Sequence, residues 1–249
     1  MFSPRRKKPL FASYDKPLLP ALADTRASNT GPAAIRNPED EDEEHALIVP
    51  GSRLVGGLKR VLRSDNPIVY LDVAIGGAYA GRFTIELRMD IVAKTGENFR
   101  QLCIGGREAT PDGVPLSYKG SVFHRVVSDF AIQGGDIMNS NGTGKVSSYG
   151  RLFDDENFLL QHVGPGVVTM ANNGPDSNGA QFMITTVETP WMDNINLVFG
   201  CLCNLESFEL LSKIEACGTP HGKPSQLIQV TDCGQLFPAL EAKELEKTG

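Results

Sequence analysis

From Pro67 onward, apolar and polar positions alternate in short runs. The stretches "IVYLDVAI" (68–75) and "RFTIELR" (82–88) are rich in β-branched and aromatic residues at a period of two. The "GGAYAG" between them predicts a hairpin. Further short strands are expected at 122–126, 130–134, 166–171, 181–186, 197–202 and 227–233. Twice the period lengthens to that of a helix. In "TGENFRQLCIGG", Phe99, Leu102 and Cys103 form an apolar stripe, with Thr95 as N-cap and Gly105 as the stop. "ESFELLSKIEAC" (206–217) is the second amphipathic segment. Eight short strands and two helices predict a mainly β fold: a closed eight-stranded antiparallel barrel whose open ends are capped by the two α-helices.

Residues 1–65 do not share this pattern. They hold a basic cluster, Arg5 to Lys8, scattered prolines and the acidic run "EDEDEE" from Glu39 to Glu44, which predicts a largely irregular N-terminal extension. Within it, "SRLVGGLKRVL" (52–62) places Leu54, Leu58, Val61 and Leu62 on one helical face behind Ser52 as N-cap. Gly56 and Gly57 weaken that helix by about 1 kcal/mol each, so it needs a partner surface to form. Residues 66–237 form the folded domain, and 238–249 a charged C-terminal tail that reads as a frayed helix.

Composition narrows the function. The net charge is −6 over 249 residues, split as +2 for 1–65 (11 basic, 9 acidic) and −8 for 66–249 (13 basic, 21 acidic). An acidic body argues against nucleic acid as the main ligand, because phosphate binding needs a concentrated positive face. No apolar run approaches the ~20 residues that span a bilayer, and the start lacks a signal-peptide core, so neither membrane insertion nor secretion is expected. Five cysteines form no regular framework and point to a reducing, intracellular compartment, the cytoplasm first. The Arg5–Lys8 cluster keeps a nuclear address as an alternative, while Pro4 and Pro9 break any mitochondrial presequence helix.

The chemistry concentrates in "FHRVVSDFAIQGGD" (123–136). Alone, a His–Arg pair on a strand is usually a solvated pair. Here it stands among the blocks "GENFRQL", "YKGSVFHRVV", "FAIQGGD", "NGTG", "YGRLFDDENF", "GPGVVTMANNGPDSNGAQFMI" and "DCGQL", and in that order and spacing the chain from about Asn66 to Leu236 resembles the cyclophilins. These are peptidyl-prolyl isomerases built on eight-stranded barrels. The resemblance fits the chemical demand. Rotating an X–Pro bond crosses a barrier of ~18–20 kcal/mol because nitrogen conjugation is lost. A catalyst needs no nucleophile, metal or cofactor, only a pocket for the ring, a donor to the pyramidal nitrogen and groups that hold the flanking backbone.

By resemblance, Arg125 is the main catalytic residue, a permanently charged, planar donor. Gln133 orients arginine and substrate, and its even spacing from Arg125 allows both to face one groove if no bulge intervenes. His124, Ala171 and Gln181 fall on contact positions, Asn172 on the residue whose backbone holds the substrate, Phe130 on a pocket wall and Trp191 on a rim aromatic that family members also use for cyclosporin. Several positions depart from the family. Ala131 replaces a methionine, Met183 a phenylalanine, Asn196 a histidine, Asn173 a small residue and Met192 a leucine. A flexible methionine in place of a flat ring predicts looser ring placement and reduced or altered turnover.

The insert "REATPDGVPLSYKG" resembles the longer loop of divergent-loop cyclophilins, which implies Cys103 and Cys233 as a candidate redox pair, although a loop-anchoring glutamate is replaced by Val146. Cys201 and Cys203 read as core thiols rather than zinc ligands, and His162 and His221 carry no assigned role. Two functions follow: an isomerase acting on proline-containing protein segments, or a proline-binding or structural module anchored in a larger assembly through residues 1–65.

Overall fold

The computed structural model describes residues 65–105 and 113–238. The extension, with the helix expected at 52–62, part of the 107–120 insert and the tail beyond 238 lie outside the described residues. The strands are β1 (Ile68–Ile75), β2 (Ala78–Leu87), β3 (Arg125–Val127), β4 (Ala131–Gly134), β5 (Val167–Met170), β6 (Phe182–Thr185), β7 (Val198–Leu202) and β8 (Ile228–Phe237). The helices are α1 (Ala93–Ile104) and α2 (Leu205–Glu215), with a short 3-10 helix at Pro190–Met192.

The β1–β2 hairpin turns at Gly76 and Gly77, with φ of 59° and 87°. Two consecutive positive φ values match a tight hairpin turn whose twist suits the strands, so β2 begins several residues earlier than the alternation alone predicts. Val69, Leu71 and Val73 of β1 and Phe83, Ile85 and Leu87 of β2 are fully buried. Each such side chain contributes roughly 2 kcal/mol of burial free energy.

All pairs are antiparallel, in the order β3-β4-β6-β5-β7-β2-β1-β8. The sheet is open, which corrects the expected closed barrel. Its edges, β3 and β8, form no ladder with each other. The chain before β3 turns at Gly120 (φ 89°) and meets β8 at an isolated bridge, Val122↔Gln229, with Gly120 N–H donating to Val230 O (2.8 Å), Val230 N–H to Ser121 O (2.9 Å) and Phe123 N–H to Ile228 O (2.9 Å), short of a ladder. The outer edge of β3 is occupied by the loop ahead of β8, where Val126 N–H donates to Gly222 O at 2.7 Å.

Helix α1 packs against β8 and β1 and brings Phe99 to the centre of an aromatic cluster. Its ring lies 4.9 Å from Tyr118, 5.1 Å from Phe182 and 5.0 Å from Phe199. Helix α2 covers β2 through Leu210, Leu211 and Ile214. Gly105 ends α1 at φ 65°, as expected, but Thr95 is not the N-cap. The helix starts earlier, at Ala93, so Thr95 lies in its first turn. There the distant Glu156 accepts from Lys94 N–H (3.0 Å), Thr95 N–H (2.6 Å) and Thr95 Oγ1 (2.6 Å). A carboxylate at the positive end of the helix satisfies donors that the helix cannot satisfy internally. Asn204 caps α2, its side chain accepting from Ser207 N–H at 3.0 Å.

Glu156→Ala is expected to lower unfolding stability by about 1–2 kcal/mol, measured by urea denaturation of the full chain. Glu156→Gln should retain part of the loss-prone bonds and fall between the two. An alanine variant as stable as wild type would remove Glu156 from the capping role.

Candidate active site

The register of four short strands separates two faces. Val126, Ile132, Ile184 and Val168 stand opposite one another across β3, β4, β6 and β5, and all four are fully buried. The adjacent row is Arg125, Gln133, Met183 and Thr169. Because successive residues of a strand point to opposite faces, this row lies on the other side of the sheet from the first. Arg125 and Gln133 therefore share a face, though not by alternation along one strand. They sit on separate strands joined by a turn, and cross-strand pairing aligns them.

Arg125 is exposed, and among the described residues its guanidinium has no hydrogen-bond or ion-pair partner. Gly222 (φ 80°) makes room for its stem: a Cβ there would lie 3.3 Å from Arg125 Cγ and 3.5 Å from Nε. Gln133 Nε2 donates to Gln181 Oε1 at 3.1 Å, and Gln181 Nε2 donates to the carbonyls of Gly142 (3.0 Å) and Gly144 (2.9 Å). The Gln133 amide is thus engaged by Gln181 rather than by Arg125.

On the same face, Ala131, Met183 and Met192 are buried together, with Phe130 and Ala171 packed against them, as a small apolar cluster separate from the main core. Trp191 is 61% exposed and stacks on Phe130, with ring centroids 6.4 Å apart and planes inclined by 21°. Two asparagine amides tie the segment carrying Trp191 to the strand beside it. Asn172 Nδ2 donates to Ile195 O at 2.6 Å, and Asn196 Nδ2 to Met170 O at 3.0 Å. Asn173 is exposed, its N–H donating to Ser177 Oγ at 2.9 Å.

His124 precedes β3 and packs against the 139–144 loop, where a Cβ on Gly142 would lie 2.9 Å from its Nε2. Burial pushes the His124 pKa below its ordinary value, reinforced by Arg125 and opposed by Asp136. Asp136 organises that loop. Its two carboxylate oxygens accept from the backbone N–H groups of Met138, Asn139, Asn141, Gly142 and Gly144 at 2.8–3.2 Å. Burial alone would raise the Asp136 carboxyl, but these N–H donors outweigh it and hold the pKa below the ordinary range. The "GGD" and "NGTG" motifs are two ends of this one anchor.

Sequence reading missed a second anchor. His162, assigned no role from sequence, is buried, with Nδ1 2.7 Å from Asp193 Oδ1 and Nε2 3.1 Å from Thr169 Oγ1. Its backbone N–H also donates to Asp193 Oδ1 (2.9 Å), and its carbonyl accepts from Thr189 N–H (3.1 Å). It thereby joins the segment bearing Trp191 and Met192 to Thr169, the cross-strand neighbour of Met183. Burial lowers the His162 pKa although Asp193 pulls the other way, so the neutral ring donates from Nδ1 to Asp193 and accepts at Nε2 from Thr169. No pattern local to "LLQHVGPG" reveals a partner thirty residues away.

The four thiols named from sequence are free. Burial raises Cys103 well above the ordinary thiol value and also raises Cys233, whose Sγ lies 3.7 Å from Ser117 Oγ. The thiolate is the reactive form, so both shifts oppose thiol exchange near neutral pH. Val146 is buried in the main core, and Cys201 and Cys203 are buried as well.

A lowered histidine pKa sets a sign for pH dependence. Below about pH 6.5 the unfolded chain binds protons that native His162 and His124 resist, so their contribution is complete above that value and is lost as pH falls. His162→Gln should flatten the decline in urea midpoint below pH about 6.5 relative to wild type. An unchanged decline would show that His162 is not held neutral.

Comparison with known proteins agrees with this geometry. Residues 70–235 match the family model described as cyclophilin type peptidyl-prolyl cis-trans isomerase/CLD. Over 173 residues, 69% of this chain and 92% of the relative, the sequence is 51% identical to the Caenorhabditis elegans protein named peptidyl-prolyl cis-trans isomerase 11. An antiparallel sheet of eight strands with two helices, carrying Arg125 and an apolar cluster on one face, is therefore the domain of a chain that belongs to the cyclophilin-type peptidyl-prolyl cis-trans isomerases.

Proposed function

We propose that this chain rotates X–Pro bonds of flexible protein segments on the sheet face that carries Arg125. One observation supports this most directly: a guanidinium with no partner among the described residues shares a face with the cluster of Ala131, Met183, Met192, Phe130 and Ala171. The proline ring enters that cluster, and Arg125 donates to the imide nitrogen as it becomes pyramidal. This donor interacts more strongly with the twisted state than with either planar isomer, which is the condition for lowering the barrier. Gln133, held by Gln181, lines the floor beside Arg125. Asn172 and Asn173 hold the substrate backbone, His124 and Gln181 flank it on the 139–144 side and Ala171 on the side of the apolar cluster, and Trp191 and Asn196 form the rim.

Turnover is lower than a phenylalanine-walled pocket would allow. Met183 is packed among Ala131 and Met192 and replaces a flat wall with a flexible chain, so the ring is oriented less tightly. The same feature favours a second reading, in which the groove retains proline segments with little rotation and residues 1–65 tether the domain to a larger assembly.

Exchange NMR on a peptide with one proline distinguishes the two. Wild type should accelerate cis–trans exchange, and Arg125→Ala should lose about 100-fold of that acceleration, the usual cost of removing one transition-state donor. The double change Ala131→Met, Met183→Phe should raise the rate, by up to about tenfold. Wild type no faster than Arg125→Ala would leave only the binding reading.

A further inference from the structure

Arg125 also lines a second space. A cleft of about 760 Å³ lies between the residues around β3 and the loop before β8. Its walls include His124, Arg125, Asn141, His221, Lys223 and Leu227, and among the described residues none that lines it is Asp or Glu. This is a local inversion of charge, since residues 66–249 carry −8 (13 basic, 21 acidic). Lys223 and His221 are exposed, and among the described residues neither the Lys223 ammonium nor the Arg125 guanidinium has an ion-pair partner. Gly222 lies between His221 and Lys223 in the chain and leaves room for the Arg125 stem, which a Cβ there would approach to 3.3 Å, so the candidate catalytic arginine and this loop line the cleft side by side. The volume is ample for a side chain of a bound peptide.

We propose that this cleft selects proline segments bearing an anionic side chain, a carboxylate or a phosphate, next to the proline. The assignment rests on the reading of the Arg125 face as the proline site, and adds to it a preference set by Lys223 and His221. Charge complementarity supplies the argument. An acidic side chain entering the cleft meets cations with no carboxylate competing from the described lining, whereas the only formal charges a basic one meets there are of its own sign. Leu227, 58% exposed, provides apolar surface against which the stem of such a side chain can pack. A phosphorylated serine, with about twice the charge and three acceptor oxygens, should be favoured over glutamate.

The test uses the full chain and peptides identical except for alanine, glutamate, phosphoserine or lysine beside a single proline. Affinity comes from NMR titration and turnover from exchange. At low salt the glutamate peptide should bind about fivefold more tightly than the alanine peptide, and the phosphoserine peptide more tightly still. The lysine peptide should be weakest. The order should collapse near 1 M salt, where screening extends only ~3 Å. Lys223→Glu should abolish or reverse the preference while exchange of the alanine peptide stays at the wild-type rate. His221→Ala with Lys223→Ala should abolish it without reversal. Glutamate, alanine and lysine peptides binding within about twofold of one another at low salt would overturn the proposal. So would a preference that survives Lys223→Glu. Failure of the isomerase reading looks different: the alanine peptide would exchange no faster with wild type than with Arg125→Ala, and the affinity order would still decide the charge preference.

Discussion

The site depends on the pairing register of four short strands. Val126, Ile132, Ile184 and Val168 meet in one buried row, each contributing roughly 2 kcal/mol of burial. A slip of one residue would turn this row outward and drive Arg125, Gln133 and Met183 into the core. Burying an unpaired guanidinium is costly enough to exclude that alternative. The apolar row thus places the arginine: its exposure is a consequence of what lies one residue further along each strand.

Strands alone leave the rim of the site undefined, and two buried polar groups complete it. Asp136 gathers the backbone N–H groups of the 138–144 turn, which fixes the carbonyls of Gly142 and Gly144 as acceptors for Gln181 and so positions Gln133. His162 ties Asp193 and Thr189 to Thr169, which holds the Trp191–Met192 turn against the strand beneath Met183. Both groups are kept in their useful protonation states by their surroundings. Asp136 is stabilised as a carboxylate by converging donors, and His162 is kept neutral by burial. The anchors are polar, but each has partners that offset the cost of burial.

Much of this was legible from local pattern. Alternation located every strand to within a few residues, and the Gly-Gly pair marked the hairpin whose positive φ values demand glycine. Family blocks pointed to Arg125, Phe130, Met183 and Trp191 as parts of one site, and the three apolar changes, Ala131, Met183 and Met192, do pack together. What escaped was set by contacts distant in sequence. Glu156 reaches the start of α1 from sixty residues away, so Thr95 only resembled a cap. Closure of the sheet turned on whether 120–123 would pair with β8 along its length, and the two meet at a bridge rather than a ladder. The resemblance implies that Gln133 orients Arg125 and substrate, and the bond that holds its amide comes from Gln181, forty-eight residues on.

A crystal structure of the full chain with a proline peptide tests the central claim most directly. The account predicts the proline ring against Met183, Phe130 and Met192, with the Arg125 guanidinium within about 3.5 Å of the imide nitrogen or its carbonyl. A peptide whose proline lies away from that cluster, or a Met183 side chain filling the space and leaving Arg125 without contact to the peptide, would contradict it.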